Sequence, residues 1–382
     1  MSSSVIEIKK SALTNNYRFL KSLMGNDVIV CAVVKGNAYG HGVGQVLPAL
    51  QSVGVTHFAV FSSTEAQHCH PFIRQGVSLM VMGFIEPAHM RWIIEHEIEF
   101  YVYTPSVLSS AIAMAKILNK KACIHLDLET GMNRTGLTED ELGTCIPVIK
   151  ENRDWIVIKG ITTHFAGAES IANYVRVMNQ FDRFKEKVEM LSHDDIHGEL
   201  LHVASSAAAV IYPQTRLNMV RVGVMLYGYW PTREIWIQYA RAMKNHSNPL
   251  QRSIVWKSEV MLVKDLEEGE FVGYGLGYQA PQNMRIMIVP VGYVDGYSRS
   301  LSNNGHVLVN GQRADVIGSI NMNMVICNIS DHASVEQGDE VILIGAQGDN
   351  EITFSSFAEM NNAMNYEILA RLPDHVLRMS IP

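Results

Sequence analysis

Between residues 28 and 228 the chain repeats one pattern eight times: a short, largely apolar run, then a stretch that reads as a helix. The runs are Val28–Lys35, His57–Phe61, Ser78–Gly83, Glu99–Tyr103, Ala122–Glu129, Val157–Phe165, Glu199–Ser205 and Met219–Gly228. Apolar runs of this length read as buried strands. The intervening segments carry helical spacing, as in Val43, Val46, Leu47 and Leu50, with Gly54 as a stop and Pro48 as a local weakness. Eight buried strands alternating with helices predict an α/β fold, a (β/α)8 TIM-type barrel. A doubly wound open sheet is the competing arrangement. The Gly-x-Gly-x-x-Gly turn that marks its dinucleotide-binding form does not follow the first strand.

The texture changes after Trp230. A polar stretch, Thr232 to Arg252, separates the barrel from strands of hairpin type: Val255–Val263, Met284–Gly292, His306–Ile317, Met324–Ile329 and Glu340–Gly345. Asn310-Gly311 inside the third run predicts a tight two-residue turn. Ser356 to Glu359 reads as a capping box that opens a closing helix. We therefore expect a barrel domain over residues 11–243 and a mainly antiparallel β domain over 244–382. Residues 1–10 alternate and are expected to pair with the second domain.

A hydrophobic content of 47%, a charged content of 18% and a net charge of −7 describe a soluble globular chain. They give no reason to expect nucleic acid or a membrane as partner. The first residues lack a signal-type apolar region, and no run approaches membrane-spanning length. The five cysteines are scattered, without metal-type spacing. They read as reduced thiols, and the expected location is cytoplasmic. His68-Cys69-His70 reads as a surface helix, because adjacent helical residues point apart, and no metal is expected.

In a barrel of this kind, reactive groups collect at the C-terminal strand ends. Lys35 follows the first run and is succeeded by Gly36-Asn-Ala-Tyr-Gly40. An amine where desolvation can lower its pKa suits Schiff-base chemistry. Asp127 to Arg134, His164, Ser205-Ser206 and Arg221 fall at other strand ends or within the last strand. Any one of these reads as structural alone; their convergence on one rim does not.

These segments resemble the alanine racemases from about residue 5 to the end of the chain. The resemblance is carried by Val33 to Gly42, Thr130-Gly-Met-Asn-Arg-Thr-Gly136, Thr163-His-Phe-Ala166 and Arg221 to Gly228. Val272-Gly-Tyr-Gly275, Val291 to Gly296 and Asn365-Tyr-Glu367 complete it. It implies pyridoxal 5'-phosphate (PLP) as cofactor and a homodimer with shared active sites. It implies L-/D-alanine interconversion by two bases, Lys35 and Tyr274 of the partner subunit, which would supply D-alanine for peptidoglycan. His164 and Arg221 would assist them, with Arg221 against the ring nitrogen. Tyr39, Ser206, Gly223, Val224 and Tyr366 would hold the phosphate. Arg134 and Met322 would meet the amino-acid carboxylate, and Tyr293 would narrow the entrance.

The sequence departs from the family at Asp127, where many members carry a lysine, sometimes carbamylated. We expect Asp127 to pair directly with Arg134. Asn321 and Asn323 are also unusual and leave room for a serine or broad-specificity amino-acid racemase. A non-catalytic PLP-binding protein is a further alternative, but such proteins resemble the barrel alone.

Overall fold

The structure is a computed structural model that describes residues 3–244, 246–354 and 365–382. It divides into two compact units. One comprises Ala12–Gly36 and Leu47–Arg252; the other comprises Met1–Ser11, Asn37–Val46 and Ser253–Pro382.

The first unit is the barrel. After the opening strand β1 (Ser4–Lys9), eight parallel strands follow: β2 (Ile29–Val33), β3 (His57–Val60), β4 (Ser78–Val81), β5 (Glu99–Val102), β6 (Ala122–Asp127), β7 (Ile156–Thr162), β8 (Leu200–His202) and β9 (Met219–Val222). Each falls on one of the eight apolar runs. They pair in the order β8-β7-β6-β5-β4-β3-β2-β9. A parallel bridge between Ser205 and Arg221 joins the two ends, and the Arg221 N–H donates to Ala204 O at 3.0 Å. Two of the helices between strands open with capping boxes. Ser62 and Glu65 form a capping box on Ser63–Cys69, and Thr138 and Glu141 form another on Glu139–Glu151.

The second unit is built from antiparallel sheets. One has the order β14-β13-β16-β10-β1-β18, from Gln312–Asp315, His306–Val309, Glu340–Gln347, Ile254–Glu259, β1 and Leu377–Ile381, with β17 (Asn350–Ile352) on β16. The other has the order β11-β12-β15, from Leu262–Leu266, Met284–Val289 and Val325–Asn328. β1 pairs antiparallel with β10 and parallel with β18, the one parallel pair in this sheet among the described residues. Asn310 and Gly311, both at positive φ, form the β13–β14 turn.

The run Val255–Val263 is not one strand. It divides into β10 and β11, which belong to different sheets. Val260 N–H donates to Asp339 O and Met261 N–H to Ile288 O, so the chain changes sheet within two residues. Continuous hydrophobicity hides such a crossing, because both sheets bury their inner faces. The capping box at Ser356 to Glu359 lies outside the described residues.

No helix among the described residues is long and apolar enough to cross a membrane. All five cysteines are free thiols.

Gly228 ends the short turn Val224–Tyr227 with φ +93°, and a Cβ there would run into the carbonyl of Gln251. Both the backbone angle and the close backbone demand glycine. Gly228→Ala should destabilise the protein by roughly 2–3 kcal/mol. The check is a lower urea midpoint; an unchanged midpoint would contradict the crowding.

Candidate active site

The C-terminal rim of the barrel gathers most of the chemically active side chains. Lys35 stands two residues beyond β2, at the start of the helical turn Lys35–Tyr39. That turn is left-handed. Gly36, Asn37, Ala38, Tyr39 and Gly40 all have positive φ, between 50° and 76°. The sequence reading, with Lys35 as a strand end, missed it. L residues pay a steric cost in this conformation, and only the two glycines escape it. Glu65 fixes the beginning of the turn, accepting from Gly36 N–H at 2.6 Å and from Phe61 N–H at 2.7 Å.

The Lys35 side chain opens to the mouth of the barrel, yet the surrounding walls displace much of its water. Burial lowers its pKa, the Arg134 cation lowers it further, and Glu65 acts in the opposite sense. His164, two residues past β7, is pushed down to about 3, first by burial and then by Arg221, Arg134 and Lys35. At neutral pH it is therefore an uncharged imidazole. Arg134 has neither a hydrogen bond nor an ion pair among the described residues. Its guanidinium is available to an anion.

Asp127 does not pair with Arg134. It ends β6 and accepts a hydrogen bond from Thr135 Oγ1 at 3.0 Å. Its short side chain is satisfied by the neighbouring hydroxyl, and Arg134 acts on it only through its charge. Burial raises Asp127 to about 6, against the Thr135 hydrogen bond and the charges of Arg221 and Arg134.

Arg221 is buried in β9. Its Nη1 donates to Thr162 Oγ1 at 3.0 Å, His202 O at 2.8 Å and His202 Nδ1 at 2.7 Å. Its Nη2 donates to Thr163 O at 2.9 Å and Val203 O at 3.2 Å, with His164 Nδ1 at 3.5 Å. The terminal nitrogens are thus fully engaged. Among the described residues the Nε–H has no hydrogen-bond partner and it is not among the sealed, unsatisfied atoms, so it is the donor left for a ligand. Beyond β9, Gly223 N–H donates to Ser206 Oγ at 3.1 Å. Val224 opens the following turn, which leaves its amide N–H unpaired from within.

The other expected residues belong to the second unit. Tyr274 sits between Gly273 and Gly275, both at positive φ, and is 77% exposed. Tyr293 and Met322 lie in adjoining loops of this unit, tied by Tyr293 N–H to Asn321 O at 3.1 Å and Val294 N–H to Met322 O at 3.1 Å. They are 42% and 54% exposed. Tyr39 also belongs to this unit. The side chain of Tyr366 lies outside the described residues.

Sequence reasoning missed Glu99, His125 and His202. All three are buried in the barrel. The available signal was a polar residue interrupting an apolar run, at His125 and His202.

A parallel barrel with a lysine of lowered pKa, an unpaired arginine and a buried donor-only guanidinium at one rim is a class of enzyme site made for amines bearing an anionic group. Residues 8–231 match the alanine racemase N-terminal domain, and residues 253–380 match the C-terminal domain. An alanine racemase of Desulforamulus reducens is 32% identical over 98% of this chain and 98% of its own. The alanine racemase structure from Clostridium difficile 630 superposes with TM-score 0.90 at 29% identity, over 100% of this chain and 96% of that one. The Bartonella henselae alanine racemase with covalently bound pyridoxal phosphate gives 0.84 at 25% identity, over 100% of both chains. The chain belongs to the alanine racemase family and is an enzyme of the isomerase class.

The family implies PLP, and the barrel residues fit it. A primary amine of lowered pKa is the group such an aldehyde requires. The free Nε–H of Arg221 suits a ring nitrogen that accepts a hydrogen bond.

The folded-state pKa of Asp127 lies above the ordinary aspartate value. Its favourable contribution is complete below the ordinary value and is lost as pH rises through about 6. Asp127→Asn should therefore raise stability by on the order of 2 kcal/mol in mildly alkaline buffer and by little in acid. Urea unfolding at both ends of the range checks this; an equal effect in acid would contradict it.

Proposed function

We propose that this protein interconverts L- and D-alanine by two-base proton transfer, using PLP held at Lys35. The observation that carries the reading is the lowered Lys35 amine facing the unpaired Arg134 cation on one barrel rim. When bound, PLP delocalises the electron pair left at the substrate Cα.

The chain's own residues then have distinct tasks. Arg134 binds the substrate carboxylate and so fixes which faces of Cα are presented. Lys35, as a neutral amine, takes or returns the proton on one face. Tyr274 of a second copy serves the opposite face. Its exposure, and that of Leu276 at 80%, Phe271, Met322 and Met324 on the same unit, supports burial against another chain. His164, neutral and within 3.5 Å of Arg221, orients the tyrosine hydroxyl without adding charge. Arg221 would donate through Nε to the ring nitrogen and, unable to give up its proton, would keep that ring less electron-withdrawing than a protonated one. Tyr39, Ser206, Gly223, Val224 and Tyr366 would hold the phosphate, and Tyr293 and Met322 would shape the substrate end.

We read the active form as a homodimer with shared sites, cytoplasmic, supplying D-alanine for peptidoglycan. The barrel domain is taken as residues 11–243 and the β-rich domain as 244–382 with 1–10. A second reading, serine or broad-specificity racemisation, rests on Asn321 and Asn323, two polar residues beside Met322 at positions where the sequence departs from the family.

Chiral chromatography of a panel of L-amino acids incubated with protein and PLP tests both readings. Alanine should racemise fastest under the first, and serine should equal it under the second. Failure to racemise either would end the proposal. Lys35→Ala should abolish turnover. Tyr274→Phe should cut racemisation by ~10²–10⁴-fold, while solvent deuterium still enters Cα of one enantiomer with retention. Loss of exchange from both enantiomers alike would refute the two-face assignment.

A further inference from the structure

Four barrel strands contribute a line of buried, hydrogen-bonded ionisable side chains. Glu99 on β5, His125 on β6, His202 on β8 and Arg221 on β9 are all buried. Glu99 Oε2 lies 2.9 Å from His125 Nε2, His125 Nδ1 lies 2.9 Å from His202 Nε2, and His202 Nδ1 lies 2.7 Å from Arg221 Nη1. The ends fix the direction. A guanidinium only donates, so His202 Nδ1 must accept; an ionised carboxylate only accepts, so His125 Nε2 must donate. Both imidazoles are then neutral and protonated at Nε2. Protonating either one would turn an N–H toward another N–H and break the line.

Four further observations bear on this line. Burial, with the Arg221 charge, pushes His202 well below the ordinary histidine value. Burial alone would raise the Glu99 carboxyl, but the hydrogen bond and electrostatic attraction of His125, then the Ser78 hydrogen bond and the His57 ring, outweigh that and hold it below its usual value, so it stays an acceptor. The His125–His202 bond passes over β7 at Gly160, where a Cβ would collide with His125 Nδ1 and approach His202 Nε2 to 3.0 Å. The β6–β7 register shifts between Ile124 and His125, the irregularity that re-aims a side chain.

We propose that Glu99, His125 and His202 are positioning residues that lock Arg221 in one orientation and supply its distant counter-charge, so that Nε alone faces the bound cofactor. This rests on the assignment of Arg221 to the cofactor's ring nitrogen. The array acts through Arg221 and touches no reacting atom.

The test uses the holoenzyme labelled with ¹⁵N at histidine rings, with His125→Asn and His202→Asn variants to assign the signals. Both rings should show a single Nε2–H form across the neutral range. An Nδ1–H form or a cationic ring at either position would overturn the proposal, whatever the activity. Glu99→Gln, which can donate as well as accept, should mix the tautomers, shift the cofactor's visible band and lower kcat by ~10-fold or more with little change in KM. Glu99→Asp should restore the single tautomer, the band and most of kcat. Gly160→Ala should break the His125–His202 link and reproduce the Glu99→Gln spectra. Unchanged ring signals and visible band in both Glu99→Gln and Gly160→Ala would also overturn it. Intact ring signals in a protein that racemises nothing would instead count against the functional reading alone.

Discussion

A full positive charge that cannot be discharged is placed inside a barrel, and much of the surrounding structure answers to it. Burying an unmatched guanidinium costs several kcal/mol, so its N–H groups must find acceptors. Arg221 finds them on the ends of β7 and β8, at Thr162, Thr163, His202 and Val203. Just beyond the β8 end, the Ser205–Arg221 bridge closes the barrel. The seam is made by backbone hydrogen bonds and the site by side-chain ones, but both belong to the same residue, Arg221.

The same concentration of positive charge explains the protonation states around the rim. Lys35 and His164 lose protons more readily because burial and nearby cations act in the same direction. The like charges that repel one another also leave Lys35 nearer its proton-accepting form. Asp127 offers only partial relief, since its own burial opposes ionisation. What remains at the mouth is a cationic receptor, and a small carboxylate or phosphate is the complement it lacks.

Much of this was legible in the sequence, for physical reasons. Strands buried on both faces are uninterruptedly apolar, so all eight barrel strands stood out, from Ile29–Val33 to Met219–Val222. Asn310-Gly311 announced its turn because few residue pairs accept positive φ twice. The crossing at Val260 and Met261 left no mark, since hydrophobicity does not record which sheet a residue joins. Asp127 was matched to the wrong partner because a hydroxyl one residue beyond Arg134 competes with it, and only geometry decides between them. His125 and His202 each looked like an isolated interruption; their pairing across seventy-seven positions is a property of the closed barrel. The handedness of the Lys35 turn was hidden too. Glycines flank it at 36 and 40, but Asn37, Ala38 and Tyr39 carry no local signal for such a backbone.

That turn has a consequence for the chirality of the chain itself. Its five successive residues wind in the sense natural to D-amino acids, and each L side chain there bears a steric cost of roughly 1–2 kcal/mol. A semisynthetic protein with mirror-image asparagine, alanine and tyrosine at positions 37 to 39 would relax this segment while keeping its path. The ribosome, restricted to one hand, builds beside the reactive amine a coil that suits the other.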